Sequence, residues 1–226
     1  KGSSAAAKGR ELPDSVMEWT PAGAEQALQG AWKARMTLAS NMGGSHSMAG
    51  DPIALDIKAE TATAFDGKTE KQLSWVVESP CTARFDEELT EGSMKGGTAY
   101  HEVQFVVSGG KAMLGDGGVG FKKGNAWVFC TSGMDNGGVY IQEDKAKPCT
   151  HWGEKFGKWE QTEGQCKWDT ADGKERLTVG TGDWSTKLYV KGDLLVSEQF
   201  EEGTKLYEKV ASFAAAKQAV VEKNKA

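Results

Sequence analysis

The sequence predicts an all-β antiparallel fold with a short N-terminal helix and a C-terminal α-helix. Two observations predict it. Short strand-like runs follow one another without helices between them, and Asn-Gly, Asp-Gly and Gly-Gly pairs stand in the gaps. Such pairs tolerate the positive φ of tight hairpins, which join antiparallel neighbours. The 29 glycines, against only five prolines, fit that number of turns.

The composition is that of a globular chain with an acidic balance. Its 226 residues include 27 basic and 32 acidic side chains, a formal charge of −5. Eight Trp, eight Phe and four Tyr supply large apolar surfaces that need burial, which argues against disorder. The acidic balance, without a cluster of Lys and Arg, argues against a nucleic-acid partner.

The first ten residues are small, polar and without periodicity, which is the composition of a linker. We expect residues 1–15 to form a flexible tether and residues 16–226 to form a single domain. The tether is similar to the segment that follows the lipidated cysteine of bacterial lipoproteins. A sequence added for expression has the same composition. Membrane anchoring is expected only through such an N-terminal lipid, and the oligomeric state stays open.

The next segment predicts the first helix and the first strand. Thr20-Pro21 is a capping hydroxyl followed by proline at the first helical position. A short helix over 22–29 should follow and end at Gly30. From Trp32 apolar and polar residues alternate as far as Leu38, the pattern of a strand with one solvated face.

Strand-like runs fill most of the remaining chain. They are Ile53–Ala59, Thr61–Phe65, Gln72–Glu78, Thr82–Glu87, Ala99–Ser108, Lys111–Leu114, Val119–Lys122, Ala126–Thr131, Val139–Glu143, Gln165–Asp169, Arg176–Val179, Lys187–Lys191 and Leu194–Phe200. The end of the chain differs, because Leu206, Val210 and Phe213 recur at roughly helical intervals among alanines. A helix over 204–223 is therefore predicted, with its apolar stripe against the outside of the β structure.

Four cysteines, Cys81, Cys130, Cys149 and Cys166, form no C-x-x-C pair and have no zinc-finger spacing. An even number in such a chain is compatible with two disulfides. We predict Cys149–Cys166, which flank a hairpin-like segment, and therefore Cys81–Cys130. Four reduced, half-buried thiols are the alternative. With the linker, the disulfides favour a bacterial envelope location (periplasm or outer-membrane surface) or secretion.

The order of elements resembles the lipocalins and the wider calycin group. Gly30-Ala31-Trp32 enters the first strand as their G-x-W motif does, and Thr181-Gly182-Asp183-Trp184 is a loose counterpart of a late turn motif. The third motif, an arginine over the tryptophan, has no clear counterpart. The resemblance implies an antiparallel up-and-down barrel of eight strands whose closed end is plugged by Trp32. Because the chain has more strand candidates than eight, we expect extra hairpins, and a larger barrel or a barrel-like sandwich is the alternative.

The leading functional hypothesis is non-catalytic binding or transport of a small, largely apolar ligand, without a cofactor. No G-x-S-x-G elbow or phosphate loop is present, and the glycine pairs Gly109-Gly110 and Gly117-Gly118 lie between predicted strands rather than before the helix that a dinucleotide site needs. An enzyme on the same barrel, with His101 or Glu102 directed into the cavity, is one alternative. A structural surface module with a filled interior is another.

Aromatic residues are the candidate ligand contacts. Trp75, Phe105, Trp127 and Tyr140 all fall inside predicted strands. Alternation points about half of such side chains inward, where they would line a cavity. A fully packed core is the alternative interpretation.

A glycine-rich loop over 41–51 adds further candidates. Met42, His46 and Met48 bring two thioethers and an imidazole together, the ligand set that Cu(I) prefers. The alternative is a loop whose methionines pack on apolar neighbours. In a barrel this loop lies at the open mouth and would contact the ligand in either case, so no metal is assigned.

Overall fold

The computed structural model describes residues 11–36, 38, 51–90, 95–132, 137–201 and 206–223. The predicted all-β antiparallel fold, with short helices near the N-terminus and an α-helix near the C-terminus, is confirmed. The strands lie in two sheets, of which one is a nearly closed barrel and the other a half-barrel.

The helices are α1 (Asp14–Met17), α2 (Ala24–Leu28), α3 (Glu198–Glu201) and α4 (Phe213–Lys223), with a 3-10 turn over Gly182–Trp184. The strands are β1 (Gly30–Arg35), β2 (Pro52–Ile57), β3 (Thr61–Phe65), β4 (Glu70–Ser79), β5 (Thr82–Glu88), β6 (Thr98–Ser108), β7 (Lys111–Gly115), β8 (Val119–Lys123), β9 (Ala126–Thr131), β10 (Gly138–Gln142), β11 (Cys149–Lys155), β12 (Lys158–Gly164), β13 (Cys166–Ala171), β14 (Lys174–Val179), β15 (Thr186–Lys191), β16 (Leu194–Ser197) and β17 (Glu208–Val210).

The barrel is an eight-stranded antiparallel sheet in the order β17-β1-β2-β3-β4-β5-β6-β7. Its two edge strands meet through the main chain. Gly115 and Leu206 form an isolated bridge, and the Tyr207 N–H donates to the Leu114 carbonyl at 2.7 Å. The Tyr207 hydroxyl donates to the Arg35 carbonyl at 2.6 Å. These contacts bring the sheet close to a closed ring.

The interior of the barrel is packed with apolar side chains, and α2 covers one end. Alternation along β5 and β6 turns residues such as Phe85 and Phe105 inward, where both are fully buried. Trp32 is 1% exposed, and its indole N–H donates to the Leu28 carbonyl at 3.0 Å. Trp32 therefore lies beneath α2 at the covered end.

The half-barrel is a nine-stranded sheet in the order β12-β11-β10-β9-β8-β16-β15-β14-β13, inserted in sequence between β7 and β17. Only Gln165 separates β12 from β13, yet these two strands form opposite edges. The disulfide between Cys149 on β11 and Cys166 on β13 spans the gap. The sheet therefore curls toward itself around its own aromatic core.

The two sheets pack against each other through a second apolar cluster that includes Val106, Val128 and Phe200. The second disulfide, Cys81–Cys130, joins the β4–β5 turn of the barrel to β9 of the half-barrel, with 5.8 Å between the Cα atoms. Both predicted disulfide pairings are therefore present. Elsewhere, Ala216 and Val220 of α4 pack on the outside of β2.

Several predicted boundaries were wrong. The strand predicted over 194–200 ends at Ser197, where α3 begins. The helix predicted over 204–223 begins only at Phe213, because Glu208–Val210 pair with β1 as β17. Near the N-terminus, Leu12 is buried and α1 begins at Asp14, so ordered structure starts before residue 16. Residues 1–10 of the predicted tether lie outside the described residues.

Candidate functional site

A cleft of about 430 Å³ lies between the outer face of the barrel and the half-barrel. It is lined by Glu78, Ser79, Thr82, Tyr100, Glu102, Gln104, Thr131, Ser132, Gly137, Gly138, Val139, Glu154 and Trp159. The lining is mostly polar. The cleft is therefore a different kind of site from the apolar cavity that the sequence predicts.

Strand alternation explains why the barrel turns polar groups to the cleft. On β6, Val103 and Phe105 belong to the barrel core, so Glu102 and Gln104 face outward. The opposite wall comes from the half-barrel. Glu154 and Trp159 are cross-strand partners in the β11–β12 hairpin, which leans over the barrel.

The floor of the cleft is buried, polar and held by the inter-sheet disulfide. The Gln104 side-chain oxygen accepts from the Gly117 N–H at 3.1 Å. The Ser79 hydroxyl lies 3.4 Å from the Cys130 sulfur and accepts from the Cys81 N–H at 3.3 Å. The disulfide thus fixes the spacing between the barrel wall and the half-barrel wall of the cleft.

Charge in the cleft is negative. The Arg84 guanidinium holds the Glu78 carboxylate at 2.8 Å and Asp86 at 3.0 Å, and the side chains of Arg84 and Glu78 are both 5% exposed. Glu102 and Glu154 are solvent-exposed on opposite walls. Among the described lining residues there is no lysine or arginine. The cleft therefore presents carboxylates to a ligand from both sheets.

Beside the cleft, a neutral aromatic pair supports the 137–138 edge. His151 stacks on Tyr140, with ring centroids 4.3 Å apart. Its Nε2 lies 3.1 Å from the Gly137 carbonyl and its Nδ1 lies 3.2 Å from the Thr162 hydroxyl. Because a carbonyl can only accept, Nε2 carries the proton and Nδ1 accepts from Thr162.

Burial determines the protonation of this pair. Burial lowers the pKa of His151, although the hydrogen bond to Gly137 opposes that shift. Burial also raises the pKa of Tyr140, against a hydrogen bond from Thr131. Both rings are therefore neutral near neutral pH. Gly138, at φ +139°, has no room for a Cβ, which would collide with the Trp152 carbonyl.

The four aromatic residues predicted as ligand contacts lie in two separate interiors. Phe105 is buried in the barrel core, and Trp75 is half-buried at its edge, where its indole donates to the Lys58 carbonyl at 2.7 Å. Trp127 and Tyr140 are buried in the half-barrel core. None of the four lines the cleft. Their contact with a ligand stays a prediction.

The remaining predicted contacts, Met42, His46 and Met48, lie outside the described residues, so the copper hypothesis stays a prediction. The structure does place the ends of this loop. β1 ends and β2 begins at the end of the barrel opposite α2.

His101 and Glu102, the alternative catalytic residues, point to opposite faces of β6 and do not converge. His101 shares the inner face with Phe105, whereas Glu102 faces the cleft. Inside the barrel, the Glu87 carboxylate lies 3.4 Å from the His101 Nε2 and 3.3 Å from the Lys71 Nζ. These three side chains form a polar cluster at the end opposite Trp32.

The described residues contain no group of three His, Cys, Asp or Glu side chains arranged to hold a metal ion. No helix among them has the length and apolar character needed to span a bilayer.

Sequence reasoning missed most of the cleft, including Ser79, Gln104 and Thr131. Ser79 and Gln104 are polar residues on strands whose inward neighbours are apolar, which is the ordinary pattern of a solvated face, whereas Thr131 ends a strand that is buried at every position. Only the packing of one sheet on another distinguishes them. A polar residue directly beside a disulfide cysteine, as Thr131 is, was the one local signal available.

Comparison with known proteins gave no match: no family model, no curated protein and no solved structure is significantly similar to this chain. The description of a nearly closed barrel, a disulfide-linked half-barrel and an acidic cleft between them therefore rests on this structure and not on a relative.

Proposed function

We propose that this protein binds a small cationic ligand in the cleft between its sheets without transforming it. The observation that carries the proposal is the lining: carboxylates reach the cleft from both sheets, and the described lining residues contain no lysine or arginine. A volume of about 430 Å³ suits a small molecule.

The aromatic walls strengthen the preference for a cation. Tyr100, half-exposed on β6, and Trp159 on β12 both line the cleft. Aromatic faces attract ammonium and guanidinium groups, and nearby carboxylates add to that attraction.

Titration calorimetry with putrescine, choline and arginine methyl ester tests the proposal. Acetate serves as the anionic comparison and glycerol as the uncharged one. At least one cation should bind, and Glu102→Gln should weaken that binding about fivefold or more because it removes one wall charge. Glu60→Gln makes the same charge change in an exposed turn away from the cleft and should leave the affinity unchanged. Equal weakening by both variants, or no cation binding at all, contradicts the proposal.

The sequence-based hypothesis, a largely apolar ligand inside the barrel, is the second candidate. One observation favours it: Lys71, Glu87 and His101 turn polar groups inward at the end opposite Trp32, where they could hold the head of an amphipathic ligand. Quenching of tryptophan fluorescence by fatty acids or retinoids tests it. Saturable quenching that Lys71→Met weakens, and exposed Lys58→Met does not, would support it. A silent panel would remove it.

An envelope or secreted location belongs to the same proposal. Two disulfides are compatible with an oxidising compartment. The likeness to lipocalins is supported by Trp32 beneath α2, and the lipoprotein tether by composition alone. Cell fractionation, with and without globomycin to block lipoprotein processing, tests the location and the tether.

A further inference from the structure

The tip of the β11–β12 hairpin presents a bulky aromatic residue in a backbone conformation that disfavours it. Phe156 has φ +52° and is followed by Gly157 at φ +78°. The β13–β14 hairpin has nearly the same turn, with Asp172 at φ +52° and Gly173 at φ +76°. Asp is a usual residue for such turns, whereas a bulky side chain at positive φ is an outlier. Folding alone therefore does not account for Phe156.

The Phe156 side chain is also almost fully exposed to solvent. It is 96% exposed, the most exposed of the large hydrophobic residues that the structure describes. Its neighbours at the tip are Lys155 and Lys158, which are exposed and directly paired across the hairpin. The tip is therefore an apolar ring between two positive charges.

A second exposed aromatic lies at the same end of the nine-stranded sheet. Trp184, 84% exposed, is on the 3-10 turn between β14 and β15. Strand directions alternate without exception from β11 across to β14. The β11–β12 and β14–β15 connections therefore emerge at one end of the sheet.

We propose that this hairpin tip docks on a bilayer that contains anionic lipid, with Phe156 inserted at the interface between headgroups and acyl chains. Aromatic rings partition into that interface, and lysines beside them bind anionic headgroups. Trp184 provides a second contact at the same end. The carboxylates nearest to the tip, Glu154 and Glu160, lie behind the lysines on the two strands.

The composition of the tip favours lipid over a protein partner. A stable protein interface buries about 800 Å² on each side and is depleted in lysine. Here one ring projects between two lysines on a two-residue turn, which is too narrow for such an interface. Beside Trp184, Asp183 would repel anionic lipid, so the charge dependence of docking should come from the hairpin.

Co-sedimentation with vesicles tests the proposal, comparing pure phosphatidylcholine with an equal mixture of phosphatidylcholine and phosphatidylglycerol. The chain should bind the mixed vesicles, and added salt should weaken that binding. Phe156→Asn should reduce the partition coefficient about tenfold, because it removes the inserted ring. Phe156→Trp should retain binding. Lys155→Gln with Lys158→Gln should remove the preference for phosphatidylglycerol.

The Asn variant should also melt at a higher temperature than the wild type, since Asn tolerates the positive φ of that turn. Asp172→Asn is the control, because it changes the equivalent turn of another hairpin and should leave vesicle binding unaltered. Absence of wild-type binding overturns the proposal in favour of a protein contact at the tip. A lower melting temperature for Phe156→Asn overturns it as well, because Phe156 would then serve the fold.

Discussion

The barrel and the half-barrel close by different means. The barrel brings its edge strands together through main-chain contacts at Leu114 and Gly115, around a core of nineteen buried residues among those described. The half-barrel core has eight such residues, and a disulfide spans its gap. A sheet with a large apolar interior can close by hydrogen bonding, whereas one with a small interior needs a covalent link.

Aromatic and cation–π contacts inside the half-barrel accompany the Cys149–Cys166 disulfide. Trp127 on β9 and Trp168 on β13 contact each other inside the half-barrel, with ring centroids 5.8 Å apart and ring planes tilted by 45°, and the Lys145 ammonium lies 4.1 Å from the Trp168 ring centre. The Trp168 indole donates to Gln142 at 2.7 Å. In the half-barrel, side-chain contacts hold β13 near the rest of the sheet, whereas in the barrel main-chain hydrogen bonds hold the two edge strands together. The two sheets should therefore respond differently to the loss of core volume and to reduction.

The largest expected effect is on the barrel core. Trp32→Ala should lower the free energy of unfolding by about 3–5 kcal/mol, because it leaves a cavity beneath α2 and removes the bond to Leu28. Urea denaturation measures this change. Trp184→Ala, at an exposed tryptophan, should stay within about 0.5 kcal/mol of the wild type. Similar losses for both variants would contradict the role assigned to Trp32.

Next in size is the loss of the half-barrel disulfide. Replacing Cys149 and Cys166 together by serine opens a link over a separation of 17 residues and should cost about 3 kcal/mol. Hydrogen exchange should increase first in β11 to β14, while the barrel strands keep their protection. Equal loss of protection in β2 to β5 would show that the sheets unfold as one unit.

A smaller effect is expected at the seam of the barrel. Tyr207→Phe keeps the buried ring and removes the hydrogen bond to the Arg35 carbonyl, so it should cost about 1 kcal/mol. Hydrogen exchange should rise at β1 and β17, and protection in the half-barrel should not change. If Tyr207→Phe leaves the free energy of unfolding unchanged, the main-chain contacts alone hold the two edges of the barrel together.

The smallest expected effect is a pH dependence confined to the half-barrel. Burial lowers the folded pKa of His151 below the ordinary histidine value of 6.5, so the unfolded chain binds more protons between those two values. The stability that neutral His151 contributes is complete above about pH 6.5 and is lost as the pH falls toward the folded pKa. The difference in unfolding free energy between wild type and His151→Gln should shrink over that range. A difference independent of pH would contradict the assigned shift.

The sequence predicted the barrel better than the half-barrel, for a physical reason. On barrel strands such as β5, apolar residues that face the core alternate with polar ones, whereas β12 is polar apart from Trp159 and was not predicted. β17 was read as helix because Leu206 and Val210 fit helical spacing, and only β1 pairing makes it a strand. The cleft was beyond sequence reasoning, because Glu102 and Glu154 are 52 residues apart and meet only when the sheets pack.

β17 completes the barrel but follows the whole half-barrel in sequence. The barrel therefore starts to be synthesised before the half-barrel but cannot finish folding before the half-barrel has been synthesised. On the ribosome, β1 to β7 emerge first, and the free edges of β1 and β7 stay unpaired until residues 206–210 are synthesised. Translation that halts within the inserted segment would thus expose two unpaired strand margins, the kind of surface that aggregates or recruits chaperones.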